Sequence, residues 1–278
     1  MAEKLVYQPP KWEKELKKEL QLFRQSKGKD ITLSNLQKIL KEEEEFPSMR
    51  NYGELYANLQ LKYRILAGSS YLRDNSNVQV IQYTYLSGMA SIFAYLFCVA
   101  DPHSKRDNTE QINMILDFAY GLLQFFAVRG ILPQCLADMD HPYVQLLLGN
   151  FEKAVELLAS VNSAYDEATP QTILMSDMEV SAIRAVADKD EKELVHLLTQ
   201  RVKKYRKQPV GYSTFVDAYS IAYIKLMQQH GMNCSLDIIE IPTMFFDEVI
   251  CKIDPAEVSL PFYEDAVEQL KKTGIEWH

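Results

Sequence analysis

The sequence predicts an all-α fold, and three observations carry that prediction. Glycine is scarce, with 10 in 278 residues, beside 11 prolines, whereas all-β folds need many more turn residues. Apolar side chains recur at three- and four-residue spacing through most of the chain from Lys11 to His230. No Pro-, Ser- or Gly-rich linker divides the sequence, so a short N-terminal arm (residues 1–10) leads into a single helical domain (residues 11–278).

Pro9 and Pro10 close the arm. A first helix follows over Lys11 to Lys27, with Trp12, Leu16, Leu20 and Phe23 on one face and Gly28 as its stop. Thr32 is the expected cap of a second helix that carries Leu33, Leu36, Ile39 and Leu40. Four glutamates, Glu42 to Glu45, oppose the dipole at its end, so the last turn is expected to fray before Pro47. Tyr52 to Leu72 forms a third helix around Leu55, Leu59, Tyr63 and Leu66. Val78 to Ala100 forms a fourth that is apolar nearly all round, as a central helix must be. Ser87, Ser91 and Ala94 give it a strip of small side chains for close packing. Asn108 and Gln111, at capping-box spacing, open a fifth over Thr109 to Arg129, closed by Gly130. The fourth and fifth are the expected antiparallel centre.

The later helices are shorter: Pro142 to Leu148, the stretch GNFEKAVELLAS, Thr172 to Ala187 and Glu191 to Lys207, arranged as hairpins without a fixed repeat period. Tyr212 to His230 is the last long helix. The β-branched stretch SLDIIEIPTMFF is expected to be extended, and Tyr263 to Lys272 closes the chain as a short helix.

Charge and motif content narrow the function. The net charge of −8 argues against a general nucleic-acid surface, although Arg201, Lys203, Lys204, Arg206 and Lys207 form one basic cluster at a helix end. Residues 75 to 100 contain no charge, but Gln79, Gln82, Thr84, Ser87 and Ser91 mark a core helix rather than a membrane span. The first twenty residues lack a signal-peptide pattern, and the four scattered cysteines suit a reducing compartment, so the expected location is cytoplasmic.

No zinc-ligand spacing, phosphate loop or dinucleotide fingerprint is present, so no cofactor and no metal are expected. Three acidic features still need an account. Asp217 lies inside an apolar run three residues after Thr214, the spacing of a capping box with Thr214 as cap. Asp117 lies mid-helix between apolar neighbours, in line with Gly121 and Gln124; it is either a hydrogen-bonded core aspartate or an acid in a pocket. Asp138, Asp140 and His141 share one loop, which is either three hard metal ligands or a polar lead into a Pro-initiated helix.

The most lopsided segment is the irregular C-terminal region, residues 237–278. Its ten carboxylates face three lysines, a net −7 of the chain's −8. Asp247, Glu248, Asp254, Glu257, Glu264, Asp265 and Glu268, with Phe262 and Tyr263, are the candidate partner-binding residues. Phe245, Phe246 and Trp277 lie among them as further aromatic contacts, or as core residues.

The stretch KKYRKQPVGYSTFVDAYSIAYIKLMQQHGMNC, then IP, then LPFYEDAVEQLKKTGIEW, resembles the end of the immunity protein 49 family across residues 201 to 277. That resemblance implies an all-helical bacterial protein encoded beside a polymorphic toxin, which it binds and neutralises without catalysis. The expected partner is the cognate toxin domain, of basic character. Two other readings stand beside it: a helical scaffold that holds a peptide or protein in a groove, and a helical hydrolase or metal enzyme built on Asp117 or on the Asp138, Asp140 and His141 loop.

Overall fold

In the computed structural model the chain is all-α. The structure describes residues 21, 27–74, 76–100, 108–162, 173–206, 215–236, 238, 240–248, 251–254 and 257–277. The arm and nearly all of the helix expected over Lys11 to Lys27 lie outside these residues.

Helix α1 spans Gly28–Glu45. Thr32 is not its cap but lies one turn inside, where its hydroxyl donates to the carbonyl of Gly28 (2.7 Å). The glutamate run stays helical through Glu45. Lys38 faces Glu42 (3.7 Å) and Lys41 faces Glu45 (3.6 Å) at i,i+4 spacing, which offsets the unfavourable dipole. Helix α2, Tyr52–Ser69, is capped by the Asn51 side chain, which accepts from Glu54 N–H (3.2 Å), and widens into a π-turn over Ser70–Asp74. Lys29 ties that turn down, reaching Ser70 Oγ (3.2 Å), Gln79 Oε1 (3.1 Å) and the Asp74 carboxylate.

Helices α3 (Asn77–Ala100) and α4 (Asn108–Arg129) form the centre. Tyr85 lies tilted against Phe125 and Tyr95 stacks on Phe118, so numbers rise on one helix as they fall on the other, and the pair is antiparallel. The small-residue strip does what its composition suggests. A Cβ placed on Gly121 would overlap Ser91 Cβ, and one on Gly88 would lie 2.6 Å from the Phe125 backbone nitrogen. Helix α2 covers the strip from the other side: Ser87 Oγ donates to the Gln60 carbonyl (2.8 Å), and Gln60 Oε1 lies 3.4 Å from Ser91 Oγ. Buried hydroxyls are thus satisfied where two backbones nearly touch. Both central helices are long and apolar enough to cross a membrane, but most of each apolar window, 72% and 61%, is buried within the fold.

Around this pair pack α5 (Pro142–Leu147), α6 (Phe151–Leu157), α7 (Asp177–Ala187) and α8 (Glu191–Arg206), with α5 against α6 and α7 against α8 as hairpins. Helix α7 starts five residues later than the periodicity suggests, because Ser176 and Glu179 form a complete capping box there. A two-residue parallel pair, β1 (Val161–Asn162) with β2 (Ile173–Leu174), is the only strand pairing among the described residues. Helix α9 runs over Ala218–Gln229 and is buried against α4. The stretch expected to be extended forms no strand in its described residues. It packs Leu236, Ile238 and Ile241 inward and ends in a 3₁₀ turn over Thr243–Phe246. Helix α10, Tyr263–Lys272, follows. One contiguous core joins residues from Leu36 to Leu270.

We predict that Gly121→Ala costs about 1–3 kcal/mol through overpacking against Ser91. Urea denaturation of the single variants and of Gly121→Ala with Ser91→Gly should show the pair to be more stable than the sum of its parts. An additive result would contradict the close approach.

Candidate functional site

All seven carboxylates singled out in the C-terminal region are exposed: Asp247, Glu248, Asp254, Glu257, Glu264, Asp265 and Glu268. The aromatics beside them are not an open apolar patch. Phe245 is buried in the core, while Phe246, Phe262, Tyr263 and Trp277 are half-buried. The reason is that they dock this region onto the bundle. The Trp277 ring meets Phe93 of α3 edge-on at 4.7 Å, and its Nε1–H donates to the Tyr263 hydroxyl (2.9 Å). Tyr56, fully buried on α2, donates its hydroxyl to the Pro261 carbonyl (3.0 Å).

Arg50 completes the attachment. Its guanidinium lies 3.8 Å from the Phe262 ring centroid. Nη1 donates to the Asp265 carboxylate (3.2 Å), and Nη2 donates to the Glu43 carbonyl (2.8 Å). Phe262 adopts a left-handed backbone (φ 57°), a costly conformation for a bulky residue that the surrounding contacts hold in place. Sequence periodicity gives no sign of Arg50, because its partner Asp265 lies 215 residues away.

Three cavities adjoin along this face. One of 480 Å³ lies between the end of α4, α9 and the segment around Phe246. One of 280 Å³ has Tyr85, Phe125, Tyr263 and Trp277 in its walls and shares Arg129 and Ile131 with the first. A third, of 470 Å³, surrounds Ser259 to Asp265 and shares Ser259 and Tyr263 with the second.

A separate cleft of 260 Å³ brings together Asp117 and Asp217, which no sequence spacing connects. Asp217 does organise a helix start, as expected, but as the N-cap of α9 itself, not as the third residue behind Thr214. It accepts from Ser220 N–H (3.3 Å) and from Ser220 Oγ (2.7 Å). Arg201 Nε donates to both carboxylate oxygens (3.3 Å each), and the Arg201 guanidinium stacks on Tyr219 at 4.0 Å. That turns one cation of the basic cluster inward, away from any nucleic-acid surface. Across the cleft Arg64 stacks on Tyr120 at 3.7 Å. Burial pushes the Asp117 carboxyl above the ordinary carboxylate range, and the charge of Arg64 opposes the shift.

The Asp138, Asp140 and His141 loop forms no ligand set, and no three-residue metal cluster occurs among the described residues. His141 is buried and caps α5 through Nδ1, which accepts from Tyr143 N–H (3.2 Å). Burial lowers its pKa to about 4, so it is neutral at pH 7. Asp140 turns outward to Lys153, and Asp138 is exposed. The chain matches no protein-family model, no curated protein and no solved structure.

We predict that Asp217→Ala costs about 2–4 kcal/mol, because it removes a helix cap and one carboxylate partner of the largely buried Arg201. Asp217→Asn keeps a capping oxygen, loses the counter-charge and should fall between Ala and the parent. A loss in the alanine variant below about 1 kcal/mol by urea denaturation, smaller than losing a cap and a charged hydrogen bond together requires, would remove this clamp from the account.

Proposed function

We propose that the chain is a non-enzymatic immunity protein, which binds and neutralises a cognate toxin in the cytoplasm of the cell that makes it. One observation carries the reading. The seven carboxylates all face solvent, on a segment clamped to α2 and the turn before it by Tyr56 and Arg50, and to α3 by Trp277. Carboxylates carried together on a docked segment present a common negative field to a basic partner. The resemblance of residues 201 to 277 to the immunity protein 49 family supplies the class of partner.

The adjoining cavities favour a second reading, a helical scaffold that holds an extended peptide; both readings place a protein partner on the same face. The cleft is the ground for the enzyme reading. There both Asp217 oxygens accept bonds from Arg201 and Ser220, which suits a structural clamp better than a base.

Electrostatic attraction of this kind acts mainly on the association rate and weakens with salt. We predict that Glu257→Lys with Glu264→Lys slows association with the toxin domain encoded by the neighbouring gene, more strongly at low salt than at high salt. The same reversal at the exposed Glu152 and Glu156 of α6 should have little effect. Stopped-flow association at two salt concentrations reads this directly. Equal effects from the two pairs would sink the surface assignment, and a toxin domain that does not bind at all would sink the immunity reading.

A further inference from the structure

The three adjoining cavities form a line, and their order has a chemical consequence. The middle one has Tyr85, Met89 and Phe125 of the central helices on one side and Val258, Tyr263 and Trp277 of the C-terminal segment on the other. At 280 Å³ it falls just below the range of about 300–1,000 Å³ typical of drug-sized ligands. It has room for one large apolar side chain. Its neighbours continue the depression in both directions, as a chain running through it requires. Ile131, 64% exposed, stands where the first two cavities meet.

The two ends differ in charge. At the α10 end the lining includes Glu264 and Asp265, both exposed, Asp265 being paired also with Arg50, while the far end includes Arg129, Lys225 and Lys252 beside Glu248. Lys225 is committed to the Ala127 carbonyl (2.9 Å).

We propose that this groove receives an extended segment of the protein partner, which seats one aliphatic or aromatic side chain between Tyr85, Phe125, Tyr263 and Trp277 and sets a lysine or arginine beside Glu264 and Asp265. The proposal rests on the reading of this face as a protein-binding surface, and it divides the labour there. The carboxylates steer the encounter, and the aromatic pocket holds the complex together, as buried anchors surrounded by near-neutral contacts do at other interfaces.

Trp277 supplies the readout. The full chain is labelled with ¹⁵N and titrated with a capped synthetic peptide, Gly-Gly-Phe-Lys-Lys-Gly, with the Trp277 indole signal assigned through Trp277→Phe. The expected result is a saturable shift of that signal at millimolar peptide. Replacing the peptide's phenylalanine by alanine should weaken binding about tenfold or more, and replacing its lysines by glutamates should weaken it further. Ser259→Trp, at the exposed mouth shared by two cavities, should abolish the shift, while Ser259→Ala should preserve it. No saturable shift, or a shift indifferent to Ser259→Trp, overturns the anchor site. If the peptide fails while Glu257 and Glu264 reversal still slows toxin association, only the anchor proposal falls. If the peptide binds as expected and the toxin domain does not, the anchor stands and the immunity reading falls.

Discussion

Two helices can touch backbone to backbone only where side chains vanish, and α3 and α4 meet that condition at Gly88 and Gly121. The rest of the architecture follows from it. The close approach brings Tyr85 against Phe125 and stacks Tyr95 on Phe118 across the antiparallel pair. It leaves Ser87 and Ser91 against α2, where Gln60 meets their hydroxyls. It also points Phe93 and Phe97 outward from the pair, where they receive Tyr52 and Tyr56 on one side, and Phe93 receives Tyr263 and Trp277 on the other. The side chains around the central contact thus receive the segment from Tyr263 to Trp277.

That placement has an electrostatic result. A tail with a strong excess of carboxylates would repel itself if it hung free. Here its aromatic residues dock inward, and Arg50 meets it from the start of α2, stacking on Phe262 and pairing with Asp265. The same side chain reaches Glu43 on α1, so a single arginine couples three elements distant in sequence. The other carboxylates face outward. Docking and display are two faces of one segment.

Helix content, the central pair and the small-residue strip were legible in the sequence because each depends on local spacing. Helix starts were read less well. Thr32 and Thr214 have the right chemistry for a cap, but the hydrogen bonds place Thr32 within a helix, and Asp217 itself caps α9. Residue type permits several registers, and packing selects one. The acidic face was legible as composition, and its exposure agrees. Its aromatics were left open between contact and core, because nothing local distinguishes a ring that docks a segment from one that waits for a partner. The meeting of Asp117 with Asp217, and the role of Arg50, depend on chain segments about 100 and 215 residues apart. A single sequence carries no spacing signal at that range.

The central claim is that the docked acidic segment is the surface through which this protein acts. Hydrogen exchange measured by mass spectrometry, with and without the bound toxin domain, tests it most directly. The account predicts new protection concentrated in peptides covering residues 245–268 and the end of α4 around Ile131, with the Asp117 and Asp217 cleft unchanged. Protection confined to α7, α8 and the start of α9, with residues 245–268 exchanging as in the free protein, would contradict it.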